Sequence, residues 1–267
     1  MGKLQYSDKQ IEAMIKGIED GTINAYNLPE DYYTAITNYL KKGLFEGFGA
    51  TLETVSKLDI ELLEELVTNT YMFGAAKTFQ ITQAISSLLV DEDGNVRTSR
   101  EFNKIARETY DNWNNNWGVT EYNTAIAQGD AAVKWREVER QKEITPLLRY
   151  SAIGDACIIC APLDGMVAEV NDKVWDKIAP TNHFNCKCVL TQHASEEYSV
   201  TANRNDIVAP VVQKMKDRGQ DIFINNVGKT GEIFTKEHPY FDVAKEYREL
   251  AKQNFNLPIP KQLQPTE

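Results

Sequence analysis

The residues of this sequence best suited to chemistry are four cysteines and one histidine that lie close together in the chain. All four cysteines of the 267-residue sequence fall in one short stretch, at Cys157, Cys160, Cys186 and Cys188. His183 and Cys186 repeat the two-residue gap that separates Cys157 from Cys160. At this gap a single tight turn can direct two ligands to one metal ion, and two such turns complete a tetrahedron. The spacing therefore predicts a zinc site.

Five candidate ligands compete for four positions in this site. We favour Cys157, Cys160, His183 and Cys186, with Cys188 as the replacement for His183 or Cys186. Residues two apart on a strand face the same side, so Cys186 and Cys188 can act together and an all-cysteine site stays open. Four protein ligands leave no position for water, so the predicted zinc is structural and stabilises a loop-rich stretch.

Clustered cysteines can also form disulfides or carry out redox chemistry. Disulfide pairing is the main alternative to zinc, and it gains weight if the protein ends up in an extracellular particle. Thioredoxin-like redox chemistry is disfavoured, because a reactive Cys-x-x-Cys normally opens a helix that follows a strand. Here Pro162 and the turn pair Asp164-Gly165 follow the cysteines instead.

The remaining histidines, His193 and His238, raise the question of an enzyme. A metal-dependent nuclease of the His-Asn-His type would use His193 with downstream ligands, for which Asn225-Asn226 and His238 are available. The GKTG stretch at 228–231 lacks the upstream glycine of a phosphate-binding loop and indicates a hairpin turn. Since no Ser/His/Asp set or diagnostic carboxylate pair appears, the sequence predicts no catalytic residues and no enzymatic activity.

The elements before the cluster are predicted to be helical. Ile11, Met14, Ile15 and Ile18 follow the spacing of an amphipathic helix. Further helices are expected from about 30 to 48 and from 56 or 59 to about 89. The DEDGN turn at 91–95 separates them from a second helical block. We expect a break at the asparagines 114–116 and then a strong helix that ends by Pro146.

After Pro146 the pattern changes to short strands. LLRYSAIGD indicates a strand with Gly154 at its exit, and CVLTQH indicates a second strand. Asp164-Gly165 indicates a hairpin turn, and Trp175 to Ile178 a short helical turn. Farther on we expect a helix in VAPVVQKMKDRG, a strand–turn–strand in DIFINNVGKTGEIF and a closing helix in HPYFDVAKEYRELAKQ. The predicted fold class is α+β: a helical N-terminal region (1–98), a zinc-stabilised α/β core with short strands (99–198) and a C-terminal extension (199–267).

Composition excludes some classes of function. The net charge is −10, and no segment forms the basic surface that extensive DNA binding needs. Apolar stretches stay well below the roughly 20 residues of a membrane span. The N-terminus lacks an apolar segment and a cleavage site typical of secretion signals, so we expect a protein made in the cytosol with reduced thiols.

Three ordered motifs resemble a known family. EYNTAIA at 121–127, RYSAIGDACIICAPLDG at 149–165 and HFNCKCVL at 183–190 are similar to the Mu F-like minor head proteins of tailed phages, over about residues 85–192. The shared order is an acidic-aromatic helix with small residues, an Asp before Cys-x-x-Cys, a Leu-Asp-Gly turn, and His-x-x-Cys-x-Cys. Phe184 stands where the family usually has proline, a residue that shapes the turn and is not a ligand.

The resemblance implies a low-copy structural component of the phage head. Its expected partners are the portal and/or the major capsid protein, with self-association as a further option. We expect it to be assembled in the host cytoplasm and to lie in the virion, in the head interior or at the portal vertex. Some relatives carry C-terminal toxin or nuclease domains. Only 79 residues follow Cys188 here, near the lower limit for a domain. A virion-delivered nuclease or toxin is therefore the alternative.

Overall fold

The computed structural model describes residues 4–153 and 157–260, which are mainly α-helical with a small three-stranded antiparallel sheet. In these ranges the α-helices are α1 (Asp8–Glu19), α2 (Glu30–Phe48), α3 (Ile60–Ser86), α4 (Ser99–Asp111), α5 (Gly118–Gln141), α6 (Trp175–Ile178), α7 (Arg204–Asp217), α8 (Val227–Thr230) and α9 (Arg248–Lys252). The strands are β1 (Leu147–Ser151), β2 (Val167–Glu169) and β3 (Val189–His193).

These residues form two compact units, each assembled from separate stretches of chain. The first comprises the described parts of 1–43, 67–123 and 238–267, and the second comprises 44–66 and the described parts of 124–237. Helices α2, α3 and α5 each contribute residues to both units. The division of the sequence into 1–98, 99–198 and 199–267 stays a prediction.

The first unit is built on helices whose apolar faces are buried as the spacing predicts. In α1 the residues Ile11, Met14, Ile15 and Ile18 are all buried, and a capping box between Ser7 and Gln10 begins the helix. A second capping box, between Thr98 and Glu101, begins α4. Both caps satisfy backbone N–H groups that have no partner inside the helix.

The predicted helix break at the asparagines 114–116 is wrong. A π-helical turn over Asn112–Trp117 carries the chain from α4 into α5 without interruption. Asn114 is buried there, where its amide donates to the Tyr110 carbonyl at 2.8 Å and accepts from the Tyr32 hydroxyl at 2.8 Å. The wide turn thus has its own polar contacts, and Asn114 stabilises it.

In the second unit α2 and α5 approach closely through two glycines. A Cβ placed on Gly47 would lie 1.9 Å from the Ile126 carbonyl oxygen, and one on Gly129 would lie 2.8 Å from the Leu44 carbonyl oxygen. Each glycine therefore faces the backbone of the other helix. Glycine is therefore required at the centre of this contact.

The sheet has the order β2–β1–β3, with both outer strands antiparallel to β1. Leu148 and Tyr150 of β1 are fully buried and face a core that contains Trp175 of α6 and Met215 of α7. The predicted strands within LLRYSAIGD and CVLTQH, the turn at Trp175–Ile178 and a helix within VAPVVQKMKDRG are confirmed. The first strand ends at Ser151, and the predicted exit at Gly154 lies outside the described residues.

Two predictions for the C-terminal extension are wrong. DIFINNVGKTGEIF forms a 3₁₀ turn and α8 instead of two strands. Asn226 is buried and donates to the Trp175 carbonyl, and Asn225 donates to the Glu232 carbonyl at 2.8 Å, so side chains satisfy the backbone locally. The closing helix is only α9, because Pro239 starts a separate 3₁₀ turn that directs Tyr240 into the core.

No helix in 4–153 or 157–260 combines the length and the apolar character that crossing a membrane requires.

Candidate metal site

The sheet register explains why two distant turns meet. Ser151 at the end of β1 pairs with Val189 at the start of β3, and Arg149 pairs with Val167 at the start of β2. The loop that leaves β1 and the loop that enters β3 therefore lie at the same end of the sheet. These loops carry all four cysteines and His183.

The first turn carries Cys157 and Cys160. The Ala161 amide donates to the Cys157 carbonyl at 2.9 Å, and the Leu163 amide donates to the Cys160 carbonyl at 3.0 Å. The predicted turn at Asp164-Gly165 follows, with Gly165 at φ 77°. Asp164 accepts from the Ala152 amide at 2.9 Å, which closes the loop onto the end of β1.

The second turn carries His183 and Cys186. The Cys186 amide donates to the His183 carbonyl at 3.1 Å, and Asn185 between them has a left-handed φ of 59°. The Nδ1 atom of His183 lies 2.8 Å from the Phe184 carbonyl oxygen. Because a carbonyl only accepts, Nδ1 carries a proton, and Nε2 is the atom available to a metal.

The five side chains come together in two overlapping groups. In the first, the ligand atoms of Cys157, Cys160 and His183 lie within 4.8 Å of one another; in the second, those of Cys160, Cys186 and Cys188 do so. Cys157 Sγ lies 3.0 Å from His183 Nε2, and Cys160 Sγ lies 3.9 Å from Cys186 Sγ. All four cysteines are free thiols. Cys160, the shared member, is fully buried.

Hydrogen bonds within the cluster separate the pKa values of its members. The neighbouring side chains of Cys160 and Cys188 hold the pKa of the Cys186 thiol far below its usual range. The bonds of Cys160 to Cys186 and Cys188, together with burial, raise the pKa of Cys160. The neighbouring Cys186 raises the pKa of His183 to about 9 despite partial burial, so a metal ion must displace the proton on Nε2. The cluster thus favours a thiolate at Cys186, the form that binds metals.

Helix α7 packs on the outside of the first turn. Val208, Val211 and Met215 belong to the same core as the cysteines. Lys214 donates to the Ile158 carbonyl at 3.3 Å. Part of the C-terminal extension therefore supports the cluster.

Two buried residues of this region were not predicted from the sequence. Tyr150 and Asn182 are fully buried, Tyr150 lies in the same core as Cys160, Cys186 and Cys188, and the Asn182 amide donates to the Tyr150 hydroxyl at 2.9 Å. Alternation along β1 places Tyr150 on the buried face, but only the strand pairing brings it to the cluster. Asn182 is next to His183, and nothing in its sequence context distinguishes it from the other asparagines.

The other two histidines lie apart from this cluster. His193, on β3 in the second unit, contacts Glu197 through Nδ1 at 2.8 Å and Thr191 through Nε2 at 2.9 Å. His238 belongs to the first unit, where Nδ1 accepts from the Tyr240 amide at 3.2 Å and the ring packs edge-on against Phe73. Burial lowers the pKa of His238 to about 4.

Comparison with known proteins gives one informative result. No curated protein and no solved structure matches the chain. A family model does match, and its matched segment includes all five cluster side chains. Over residues 97–191 the chain matches the family described as Phage Mu protein F like protein, which confirms the resemblance found in its motifs.

Proposed function

We propose that this chain is a structural minor head protein of a tailed phage, which acts in head morphogenesis and is stabilised by one zinc ion. The observation that carries the proposal is the convergence of Cys157, Cys160, His183, Cys186 and Cys188 inside the segment that matches the Mu F-like family. The family supports the role in the head, and the donor set supports the metal.

The distances in the cluster suit tetrahedral zinc. With Zn–S bonds of about 2.3 Å, two sulfur ligands of a tetrahedron lie about 3.8 Å apart. Cys160 and Cys186 are at 3.9 Å. Cys157 and His183 are closer, at 3.0 Å, and a small outward rotation of either side chain would accommodate an ion. Thiolate and imidazole are the donors that structural zinc sites use.

The proposed ligands are Cys157, Cys160, His183 and Cys186, with Cys188 as the replacement for His183 or Cys186. Such a site joins the turn after β1 to the turn before β3. Since all four positions would be filled by protein, the ion would contribute folding free energy and would not activate water. The role proposed for the protein is accordingly structural, without catalysis.

The proposed partners are the portal and/or the major capsid protein, with self-association as a further option. The proposed location is the virion, in the head interior or at the portal vertex, after assembly in the host cytoplasm. The net charge of −10 disfavours extensive binding to DNA. A virion-delivered nuclease or toxin is the alternative, and it would need chemistry in the part of the chain after the cluster.

Elemental analysis tests the metal. Protein purified under reducing conditions should carry about one zinc per chain, as a closed four-ligand site requires. Cys160→Ser should lose the zinc, because Cys160 is common to both groups of donors. His193→Gln is the matched control, since His193 is a histidine of the same unit outside the cluster. Less than about a tenth of an equivalent in the parent protein, with oxidised thiols, would refute the zinc site.

Analysis of virions tests the role in the head. In the phage that encodes this chain, we expect the protein to copurify with mature particles at low copy number. Deleting its gene should reduce the yield of heads that contain DNA. A chain absent from particles and dispensable for head assembly would contradict the proposal, whatever its metal content.

A further inference from the structure

A cavity of about 370 Å³ lies in the first unit, beside the end of α4 and the π-helical turn that follows it. All of its lining residues fall in the stretches 1–43 and 67–123, so the cavity belongs to this unit alone. Its volume is at the lower end of the range of roughly 300–1,000 Å³ that ligand sites occupy. π-helical turns are also frequent at functional sites. The cavity is therefore a candidate binding site outside the unit that holds the cysteine cluster.

Tyr110 brings an unused hydroxyl group to this cavity. It lines the cavity with only 3% of its surface exposed. Tyr32 packs edge-on against its ring at a centroid distance of 5.8 Å, and Tyr6 stacks on it at 6.1 Å. Its hydroxyl nevertheless makes no hydrogen bond with any residue of the described ranges 4–153 and 157–260. Since buried hydroxyls are normally hydrogen-bonded, a ligand in the cavity can supply the missing partner.

The charged side chains of the cavity leave an excess of negative charge. Arg107 Nη2 lies 2.6 Å from Asp8 Oδ1, and Arg107 Nε lies 3.3 Å and 3.4 Å from the two oxygens of Asp111. One cation and two carboxylates carry a net charge of −1, and all three side chains are partly exposed. Charge-assisted hydrogen bonds are typically about 2.7–2.9 Å long. Asp111 is therefore held only loosely by Arg107 and can accept a shorter bond from a cationic ligand.

Aromatic rings give the same cavity a preference among cations. The rings that line it are those of Tyr6, Tyr39 and Tyr110. The face of an aromatic ring attracts a cation, and a guanidinium group uses this contact more often than an ammonium group does. A guanidinium group is also planar and weakly hydrated, and its N–H groups match the two oxygens of a carboxylate. The combination of tyrosine rings with a free carboxylate edge therefore favours arginine over lysine.

We propose that this cavity receives an arginine side chain of a partner protein, whose guanidinium group donates to the carboxylate of Asp111 and to the hydroxyl oxygen of Tyr110. The inference goes beyond the proposed function and does not depend on zinc. The net charge of −10 complements a basic segment of a partner and favours its approach. An arginine that fills a pocket in this way is a common anchor of protein interfaces.

A titration of the full chain with short peptides tests the inference. The probe is the blocked tripeptide acetyl-Gly-Arg-Gly-amide, and binding is followed by the amide signals of residues 107–119 in the ¹⁵N-labelled protein. We expect saturable shifts of these signals at millimolar concentration. The same peptide with citrulline, a neutral group of the same shape, should bind at least about tenfold more weakly because it lacks the charge. The peptide with lysine should bind at least about threefold more weakly than the arginine peptide.

Three variants locate the site. Asp111→Asn removes the charge and keeps the size of the side chain, so it should weaken binding of the arginine peptide at least about threefold. Its matched control is Asp130→Asn: Asp130 also pairs with a cation four residues away, Lys134, and is similarly exposed, but it lies in the second unit. This control should leave binding unchanged. Tyr110→Phe removes the hydroxyl and keeps the ring, and it should weaken binding about two- to tenfold.

The outcomes that overturn the inference are specific. Parent protein that shows no saturable shifts with the arginine peptide at millimolar concentration would refute it. Equal affinity for the citrulline or lysine peptide would also refute it, because neither the charge nor the planar group would then be recognised. Equal losses in Asp111→Asn and Asp130→Asn would place the arginine outside the cavity. None of these results bears on zinc content or on assembly of the head, so the proposed function would stand or fall separately.

Discussion

Replacing Lys77 should destabilise the first unit far more than replacing an exposed lysine with the same ion-pair distance. Lys77 is completely buried, and its ammonium group donates to Glu121 Oε2 at 2.6 Å and to the Trp113 carbonyl at 3.1 Å. The other oxygen of Glu121 accepts from the Tyr240 hydroxyl at 3.0 Å. Lys77→Met keeps most of the apolar stem but leaves the carboxylate of Glu121 buried without its counter-charge.

The structure indicates the size of this effect. Removing one partner of a buried ion pair costs about 3–5 kcal/mol, because the remaining charge stays in a low-dielectric environment. Burial lowers the pKa of Lys77 even though Glu121 opposes the shift, so desolvation outweighs the attraction. Removing both charges should therefore cost little. We expect the double variant Lys77→Met/Glu121→Gln to lie within about 1 kcal/mol of the parent protein.

The assay is the free energy of opening of amides in α3 and α5, measured by native-state hydrogen exchange. The matched control is Lys134→Met. Lys134 also lies 2.6 Å from a carboxylate, that of Asp130, but both side chains are about half exposed. Lys134→Met should lower the free energy of opening by less than about 0.5 kcal/mol. Equal costs for Lys77→Met and Lys134→Met, or a double variant as unstable as the buried single one, would refute the reasoning.

Three further predictions concern a histidine, a glycine and catalysis. Burial, and then the charge of Lys77, lower the pKa of His238 in the folded state to about 4. The stability that the neutral ring contributes to the folded state is therefore complete above the unfolded pKa of about 6.5, and it is lost as the pH falls towards 4. The difference in unfolding free energy between parent and His238→Asn should therefore change by about 3 kcal/mol over this range, and an unchanged difference would contradict the burial of the ring. Gly47→Ala should lower the free energy of unfolding, measured with urea, by about 1–3 kcal/mol or more, because its methyl group would meet the Ile126 carbonyl. Gly118→Ala is the control and should leave this free energy unchanged, because the nearest contact of its methyl group would be at 3.7 Å. Purified protein with Mg²⁺ or Mn²⁺ should not nick supercoiled DNA; cleavage that His193→Ala abolishes would support the nuclease alternative.

The sequence by itself determined the features that depend on near neighbours in the chain. The spacing of Ile11, Met14, Ile15 and Ile18 was sufficient for α1, because a helix face is defined within two or three turns. The paired gaps Cys157–Cys160 and His183–Cys186 indicated the site for the same reason, since each turn orients its own two donors. The family motifs are likewise runs of adjacent residues.

Only the tertiary structure decided how distant residues meet. The pairing of β1 with β2 and β3 brings the two cysteine turns together. The asparagines 114–116 predicted a break because their local propensity is poor for a helix, yet Tyr32 from another helix gives Asn114 a buried partner. Nothing near Lys77 in the sequence indicates that it is buried, because Glu121 and Tyr240 reach it only in the folded chain. Long-range contacts override local preference wherever a buried polar group must find its partner far along the chain.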